Sequence, residues 1–328
     1  MRLASLALCG LVLSMASAGG VRAAPSLAFP LACEIGRTCE IQHYVDRDPG
    51  PGVLDYRCGQ RTYHEHNGVD IRLLDMAAQR AGIDVLAAAP GRVTGLRDGV
   101  QDISVHAPGA PSVTGKECGN GVVVDHGGGW VTQYCHLARG SVRVKVGDVV
   151  ATGQPLARVG LSGNTEFPHL HLTVRQGAQT VDPFAPDMTN PTACRAQTAL
   201  WDAGALRQLA YKAGAVLNVG FTTGAIDNAA IEAGGVTAAS AGAPGLVAYV
   251  RLIELQAGDQ IELVLTGPGG KALAQTAPAA LTGQKAQYVA YVGVTRKAAG
   301  WPPGTYIAEV RVRRAGAVAI TRRWQVTL

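Results

Sequence analysis

His169-Leu170-His171-Leu172-Thr173-Val174 alternates histidines with apolar side chains, which predicts a β-strand with one buried face. Residues two apart on a strand point to the same side, about 6.6 Å from each other. Leu170 and Leu172 would therefore face the core, while His169 and His171 project together into one cleft. Two imidazoles on a packed strand make a platform for a metal ion. The alternative is a pair of exposed strand histidines that bind nothing.

A second pair of candidate ligands lies in His66-Asn67-Gly68-Val69-Asp70, since imidazole and carboxylate both bind zinc. In an extended strand four residues span about 13 Å, too far for His66 and Asp70 to chelate one ion easily. The Asn67-Gly68 dipeptide is a strong bend signal, and a bend there could fold His66 back toward Asp70. Without other motifs, this spacing would be weak support for a metal site.

His136 belongs to a third segment, Gln133-Tyr134-Cys135-His136-Leu137. Strand alternation predicts that Tyr134 and His136 share the face that a cleft could use, while Cys135 points to the opposite face and pairs there. His126, by contrast, is expected to belong to a hairpin turn and not to bind a ligand.

Six cysteines follow residue 23: Cys33, Cys39, Cys58, Cys118, Cys135 and Cys194. Their even number and the absence of a CxxC pair favour disulfides in an exported chain over a structural zinc site or a redox motif. The turn at 126–129 would fold its flanking strands into a hairpin that brings Cys118 and Cys135 together. Cys33 and Cys39 could close a small loop and leave Cys58 for Cys194, but no geometric argument fixes these four.

Residues 1–23 have the features of a signal peptide that is cleaved near Ala23. A basic start at Arg2 is followed by an apolar run from Leu3 to about Ala16 and then by small residues. The run is too short to span a bilayer comfortably, and no other segment is apolar enough to cross one. The sequence thus predicts a periplasmic or secreted protein with no stable membrane span after cleavage. An uncleaved anchor is the alternative.

The composition indicates a folded protein built from short strands. Hydrophobic residues make up 47% of the 328, enough for a core, whereas 42 glycines and only 5% aromatic residues favour many turns over long helices. The formal charge is +5 and falls to +3 without residues 1–23, whose only charged side chains are Arg2 and Arg22. Such a small excess gives no argument for nucleic-acid binding.

The composition changes near residue 190, because all eight histidines precede it. We therefore expect a domain over 24–188 with an N-terminal disulfide-containing segment, a connector over 189–215 with helical character around 202–212, and an antiparallel β-sandwich-like domain over 216–328. Strands are predicted in the first domain over 68–73, 91–96, 121–125, 130–136, 141–146 and 155–159, with a helical turn across 74–81 that Gly82 ends. In the last domain they are predicted over 246–254, 259–266, 284–296, 305–313 and 318–327.

The order of short motifs over roughly residues 50 to 185 resembles that of the lysostaphin-type zinc metalloendopeptidases. Each motif is short, but their joint order and spacing make coincidence improbable. The matching motifs are His66-Asn67-Gly68-Val69-Asp70, Ala88-Ala89-Pro90-Gly91-Arg92-Val93, Gly119-Asn120-Gly121-Val122, Asp125-His126-Gly127, Tyr134-Cys135-His136-Leu137, Val146-Gly147-Asp148-Val149-Val150, Gly153-Gln154, Gly160-Leu161-Ser162-Gly163 and Pro168-His169-Leu170-His171-Leu172.

The resemblance implies a mainly β protein with the duplicated-hybrid-motif fold: an antiparallel β-sheet zinc peptidase domain, here followed by a smaller β-sandwich-like domain. It implies one Zn²⁺ per chain and a peptidoglycan peptide as substrate. His66, Asp70 and His171 match the metal ligands, and His136 and His169 match the two catalytic histidines. The division of roles between His169 and His171 rests on the family alone.

The resemblance predicts an exported enzyme that hydrolyses peptide bonds in peptidoglycan stems or cross-links. No glutamate accompanies the motif as a base, so His136 and His169 are the expected proton-handling groups. Tyr63 is expected to pack rather than to act as a donor. One alternative is a non-catalytic activator or binding protein of the cell wall on the same fold. Another is a carrier or phosphotransfer domain, which 146–156 resembles. The sequence leaves open whether a regulatory protein partner takes part.

Overall fold

Short strands pair almost entirely into antiparallel sheets in the computed structural model, which describes residues 23–194, 197–298 and 300–328. The predicted signal peptide lies outside the described residues, apart from Ala23. Within the described ranges, no helix is both long and apolar enough to cross a membrane.

The first part of the chain forms one large sheet and one small one. The strands are β1 (Cys39–His43), β2 (Val69–Leu73), β3 (Asp84–Leu86), β4 (Gly91–Arg97), β5 (Asn120–Gly127), β6 (Trp130–Leu137), β7 (Val149–Val150), β8 (Pro155–Arg158), β9 (His169–Gln176) and β10 (Gln179–Thr180). The large sheet has the order β1-β2-β9-β6-β5-β4-β7, with β10 beside β9, and β3 pairs with β8. Strand β9 lies between β2 and β6, so the predicted histidine strand is central.

Alternation along β9 divides its side chains as predicted. Leu170 and Leu172 are fully buried in the core of the first part, where they pack with Val69 and Ile71 of β2.

Before β3, the helix α1 (Met76–Ala81) starts at an Asp75 cap and ends at Gly82, whose φ of 83° is left-handed. The prediction that Gly82 ends a helical turn is therefore confirmed.

The second part of the chain adds two more sheets. Its strands are β11 (Ala215–Thr222), β12 (Gly245–Leu255), β13 (Gln260–Thr266), β14 (Ala272–Gln275), β15 (Lys285–Thr295), β16 (Thr305–Arg314) and β17 (Ala317–Thr327), with the helices α2 (Ala203–Leu206) and α3 (Asn228–Ala233). The sheets β11-β12-β15 and β14-β13-β16-β17 enclose a shared apolar core that includes Leu246, Leu263 and Val310. The predicted fold class is confirmed: the protein is mainly β with antiparallel sheets.

One predicted strand is wrong, and one predicted helical segment is shorter than expected. Residues 141–146 form a loop, because the Asp148 carboxylate accepts the Lys145 N–H at 2.8 Å and the Gly147 N–H donates to the Val93 carbonyl. The helix predicted around 202–212 ends after Leu206, because the chain then extends to bury Leu209 in the core. The sequence analysis also missed β1, β3, β7, β10, β11, β14 and α3.

The two parts meet through buried charges. Arg72 on β2 and Arg251 on β12 are both fully buried, and both pair with the Glu232 carboxylate of α3. Arg251 also donates to the Leu74 carbonyl, and Arg72 donates to Gln287 of β15 at 3.1 Å. One carboxylate is therefore shared by two guanidinium groups at this contact, where an unpaired charge would be costly.

Three disulfides close loops of very different length. The predicted pair Cys118–Cys135 is present across the β5–β6 hairpin, and the other two are Cys33–Cys39 and Cys58–Cys194. Their partners are 17, 6 and 136 residues apart in the same order. Since a longer closed loop removes more entropy from the unfolded chain, the three bonds should differ in their contribution to stability.

We expect paired Cys→Ser substitutions to lower the free energy of unfolding in the order of loop length. The chain-entropy relation gives losses of about 5 kcal/mol for Cys58–Cys194, about 3 kcal/mol for Cys118–Cys135 and about 2 kcal/mol for Cys33–Cys39. Denaturant unfolding of the three double variants measures them. Equal losses, or the largest loss at Cys33–Cys39, would contradict the ordering.

Candidate metal centre

Three of the candidate ligands converge on one point. Strands β2 and β9 pair with Asp70 directly opposite His171, and His66 lies just before β2. Asp70 Oδ1 is 3.1 Å from His66 Nε2 and 2.9 Å from His171 Nδ1, and the two imidazole nitrogens are 3.2 Å apart. The side chains of His66 and Asp70 are almost completely buried.

The bend at Asn67-Gly68 makes this convergence possible, as its sequence predicts. A Cβ on Gly68 would lie 2.5 Å from His171 Nε2 and 2.8 Å from the Leu172 carbonyl oxygen. Glu65, just before His66, has a left-handed φ of 62°. The segment therefore turns sharply and brings its backbone against the His171 ring, an approach that only glycine permits.

Hydrogen bonds on the far side of each ring fix which nitrogen faces the centre. His66 Nδ1–H donates to the Tyr44 carbonyl at 2.6 Å, and His171 Nε2–H donates to Asn67 Oδ1 at 3.1 Å. His66 Nε2 and His171 Nδ1 thus both point at the same carboxylate oxygen, Asp70 Oδ1. Three potential ligand atoms this close together can share one cation.

The distances also fit the metal that the sequence predicts. Zinc binds histidine nitrogen and carboxylate oxygen at about 2.0–2.2 Å, so a tetrahedral site separates its ligand atoms by about 3.3 Å. The observed separations of 2.9, 3.1 and 3.2 Å are close to that value. Burial alone would raise the pKa of Asp70, but the neighbouring His66 and His169 and the hydrogen bonds from His169 and His171 hold it well below its usual value. The carboxylate is therefore ionised.

His136 and His169 lie beside this cluster with one nitrogen each directed into it. His136 Nδ1–H donates to the Ser162 carbonyl at 2.8 Å, and His169 Nδ1–H donates to the Phe167 carbonyl at 3.0 Å. Their ring centroids are 4.6 Å apart, and His169 Nε2 is 3.4 Å from Asp70 Oδ1. Burial, reinforced by His169 and His171, holds the pKa of His136 well below its usual value, so this imidazole is neutral.

A second grouping of ligand atoms is present. One ring nitrogen each from His136, His169 and His171 also lie within 4.8 Å of one another. The group that contains Asp70 is tighter, and it includes an ionised carboxylate that a dication would neutralise. His171 belongs to both groups, whereas His169 belongs only to the looser one.

The strand parity predicted around His136 is wrong. Tyr134 is fully buried in the core, where its hydroxyl accepts the Ala88 N–H at 2.8 Å, while Cys135 and His136 both line the cleft. The cause is a left-handed φ of 60° at His136, which breaks the alternation. The Cys118–Cys135 disulfide and the 2.8 Å bond from the His136 N–H to the Cys118 carbonyl hold this conformation in place.

An open cleft gives access to the cluster from solvent. Tyr63 is half-exposed at its rim, with its ring centroid 4.3 Å from that of His66. Glu65, Glu117 and Arg175 also line the cleft and provide charges of both signs.

The sequence analysis missed one partly buried histidine next to the cluster. His43, on β1, has Nδ1 3.0 Å from Asp70 Oδ2 and Nε2 3.3 Å from Oε1 of Glu254 on β12. Burial would lower the pKa of His43, but these two carboxylates raise it to about 9. The segment 39–43 shows no alternation that would have revealed the residue, and its neighbours at the site are distant in sequence.

Part of the chain is similar to known proteins. Residues 64–183 match the family model described as Peptidase family M23. The peptidoglycan DD-endopeptidase ShyA of Vibrio cholerae is 48% identical over 56 residues, which are 16% of this chain and 12% of that protein. The cell division protein DipM of Caulobacter vibrioides is 42% identical over 71 residues, 20% of this chain and 11% of that protein.

The chain thus spans about a tenth of the length of these two relatives. Among solved structures, the catalytic domain of the prophage-encoded M23 protein EnpA from Enterococcus faecalis is 22% identical, with a TM-score of 0.32. The match covers 45% of this chain and 92% of that one.

Substitution of Gly68 tests the close approach at the bend. We expect Gly68→Ala to weaken zinc binding at least about tenfold, because the new methyl group would displace the His171 ring. Gly235→Ala is the matched control, since no atom lies within 4 Å of a Cβ there. Competition titration against a chromogenic chelator measures both affinities. Equal affinities for the two variants would contradict the geometric argument.

Proposed function

Because residues 64–183 form a domain of peptidase family M23, we propose that the chain is an exported zinc metalloendopeptidase that hydrolyses peptide bonds in peptidoglycan stems or cross-links. The observation that carries the proposal is the convergence of three ligand atoms, from buried His66 and Asp70 and partly buried His171, at an open cleft beside two further histidines. The similarity to ShyA, named as a peptidoglycan DD-endopeptidase, supports the substrate class.

We assign His66, Asp70 and His171 to the metal, and His136 and His169 to proton transfer. Bound zinc would supply a Lewis acid that acidifies water and polarises the scissile carbonyl. The Nε2 atoms of His136 and His169 face the same space, since their Nδ1 atoms are committed to backbone carbonyls. A neutral imidazole there accepts a proton from the attacking water and returns it to the leaving amine.

The assigned site also suggests a role for each of the other segments of the chain. We propose that residues 1–23 are a cleaved leader, that 24–188 form the peptidase domain, and that 189–215 connect it to a β-sandwich-like domain over 216–328. Three disulfides among the exported cysteines agree with a periplasmic or secreted location. A non-catalytic activator on the same fold is the competing hypothesis, and the retention of all five site residues argues against it.

The products released from purified peptidoglycan test the reaction. We expect the zinc-loaded protein to release fragments with newly formed peptide termini and intact glycan strands, as identified by mass spectrometry. A chelator should abolish release, and added zinc should restore it. Fragments that show only glycan cleavage, or no release by zinc-loaded protein, would refute the endopeptidase hypothesis.

Metal content measured beside turnover separates ligands from catalysts. We expect His66→Ala and His171→Ala to lose zinc and activity together, because each removes one of three protein ligands. His136→Ala and His169→Ala should keep close to one zinc per chain and lose about 10²–10⁴-fold in turnover. Zinc loss in His169→Ala with zinc retained in His171→Ala would reverse the assigned roles of the two.

A further inference from the structure

The buried carboxylate of Glu254 belongs to the second part of the chain and contacts residues of the first part. It lies near the end of β12, its side chain is only 3% exposed, and its φ of 55° is in the left-handed region. Glutamate seldom adopts this backbone conformation, and it persists where surrounding contacts hold it. The contacts made by the carboxylate show what it does there.

Both oxygens of Glu254 face groups outside its own strand. Oε1 accepts from Gln42 Nε2 at 2.8 Å and lies 3.3 Å from His43 Nε2, while Oε2 is 3.5 Å from Gln284 Nε2. Gln42 and His43 are adjacent in sequence, and neighbours on a regular strand point to opposite faces. The β1–β2 pairing has an irregularity between Ile41 and His43, which allows both side chains to reach Glu254.

His43 contacts the candidate metal ligand Asp70 with its other ring nitrogen. Its Nδ1 lies 3.0 Å from Asp70 Oδ2, the oxygen that does not face the three-atom cluster. The other oxygen, Oδ1, faces His66 and His171. A carboxylate turns easily about its terminal bond, so a hydrogen bond on Oδ2 decides where Oδ1 points.

We propose that Glu254 is a positioning residue for the metal centre: it holds His43 in the orientation that fixes the Asp70 carboxylate for metal binding. This inference rests on the metal site of the proposed function and extends that site into the C-terminal sheets. Groups that orient metal ligands affect affinity without touching the ion. The sheet β11-β12-β15 therefore supports the metal centre through Glu254 and His43, on the side of Asp70 Oδ2.

Zinc affinity across a double-mutant cycle tests the chain of contacts. We expect Glu254→Ala and His43→Ala each to weaken zinc binding by about 10–100-fold. The double variant should bind no more weakly than His43→Ala, because Glu254 acts only through His43. Unchanged zinc affinity in Glu254→Ala, or losses that add in the double variant, would overturn the proposal.

Two further variants separate positioning from a general loss of structure. Asp259→Ala removes another buried carboxylate of the C-terminal part, one whose partner is Arg314 on β16, so it should lower the unfolding temperature and leave zinc affinity unchanged. Glu254→Gln should recover most of the affinity lost in Glu254→Ala, since its amide oxygen accepts the same bond from His43. A loss of zinc affinity in Asp259→Ala equal to that in Glu254→Ala would overturn the proposal, as would no recovery in Glu254→Gln.

Peptide release from peptidoglycan is measured separately on the same proteins. A wild-type protein that binds zinc but releases no peptides would refute the proposed peptidase, and the cycle of zinc affinities would still judge the role of Glu254. Conversely, a peptidase whose zinc affinity does not respond to Glu254→Ala would refute only the positioning role.

Discussion

The register between β2 and β9 is the constraint on which the site depends. Antiparallel pairing sets Asp70 opposite His171 and Ile71 opposite Leu170, so one arrangement defines both the cluster and the core beneath it. A slip of one residue would turn the apolar side chains of β9 toward the cleft and the histidines into the core. The burial of Leu170 and Leu172 therefore fixes the register of β9, and this register determines the positions of the two histidines.

Features that arise from neighbouring residues could be predicted from the sequence. The alternation along 169–174, the bend at Asn67-Gly68 and the hairpin that pairs Cys118 with Cys135 each follow from a local pattern. The structure adds a reason for the bend that no pattern contains, because the missing side chain of Gly68 leaves room for the His171 ring. The fold class followed from the same short strands and abundant turns.

Other features could not be predicted, since they depend on single backbone angles or on distant contacts. The left-handed φ at His136 reverses the expected parity and places Cys135 beside the cleft, and a strand pattern cannot signal it. His43 and Glu254 are 211 residues apart and meet only when the two parts of the chain pack together. The candidate ligands and catalytic residues lie in recognisable sequence motifs. The residues that orient them can come from any segment that the fold brings close, so no local pattern identifies them.

The carboxylate of Glu232, shared by two buried guanidinium groups, limits how such a chain can diversify. Arg72 belongs to the sheet that carries the cluster, and its guanidinium also lies 3.8 Å from the centre of the Phe167 ring. If the C-terminal sheets were replaced by an unrelated domain, the Arg72 guanidinium would be left unpaired near the site. The new domain would have to place an acidic side chain at the same position. Recombination between homologues is therefore constrained to inherit the two parts together, and substitutions at Arg72, Glu232 and Arg251 should be correlated in evolution.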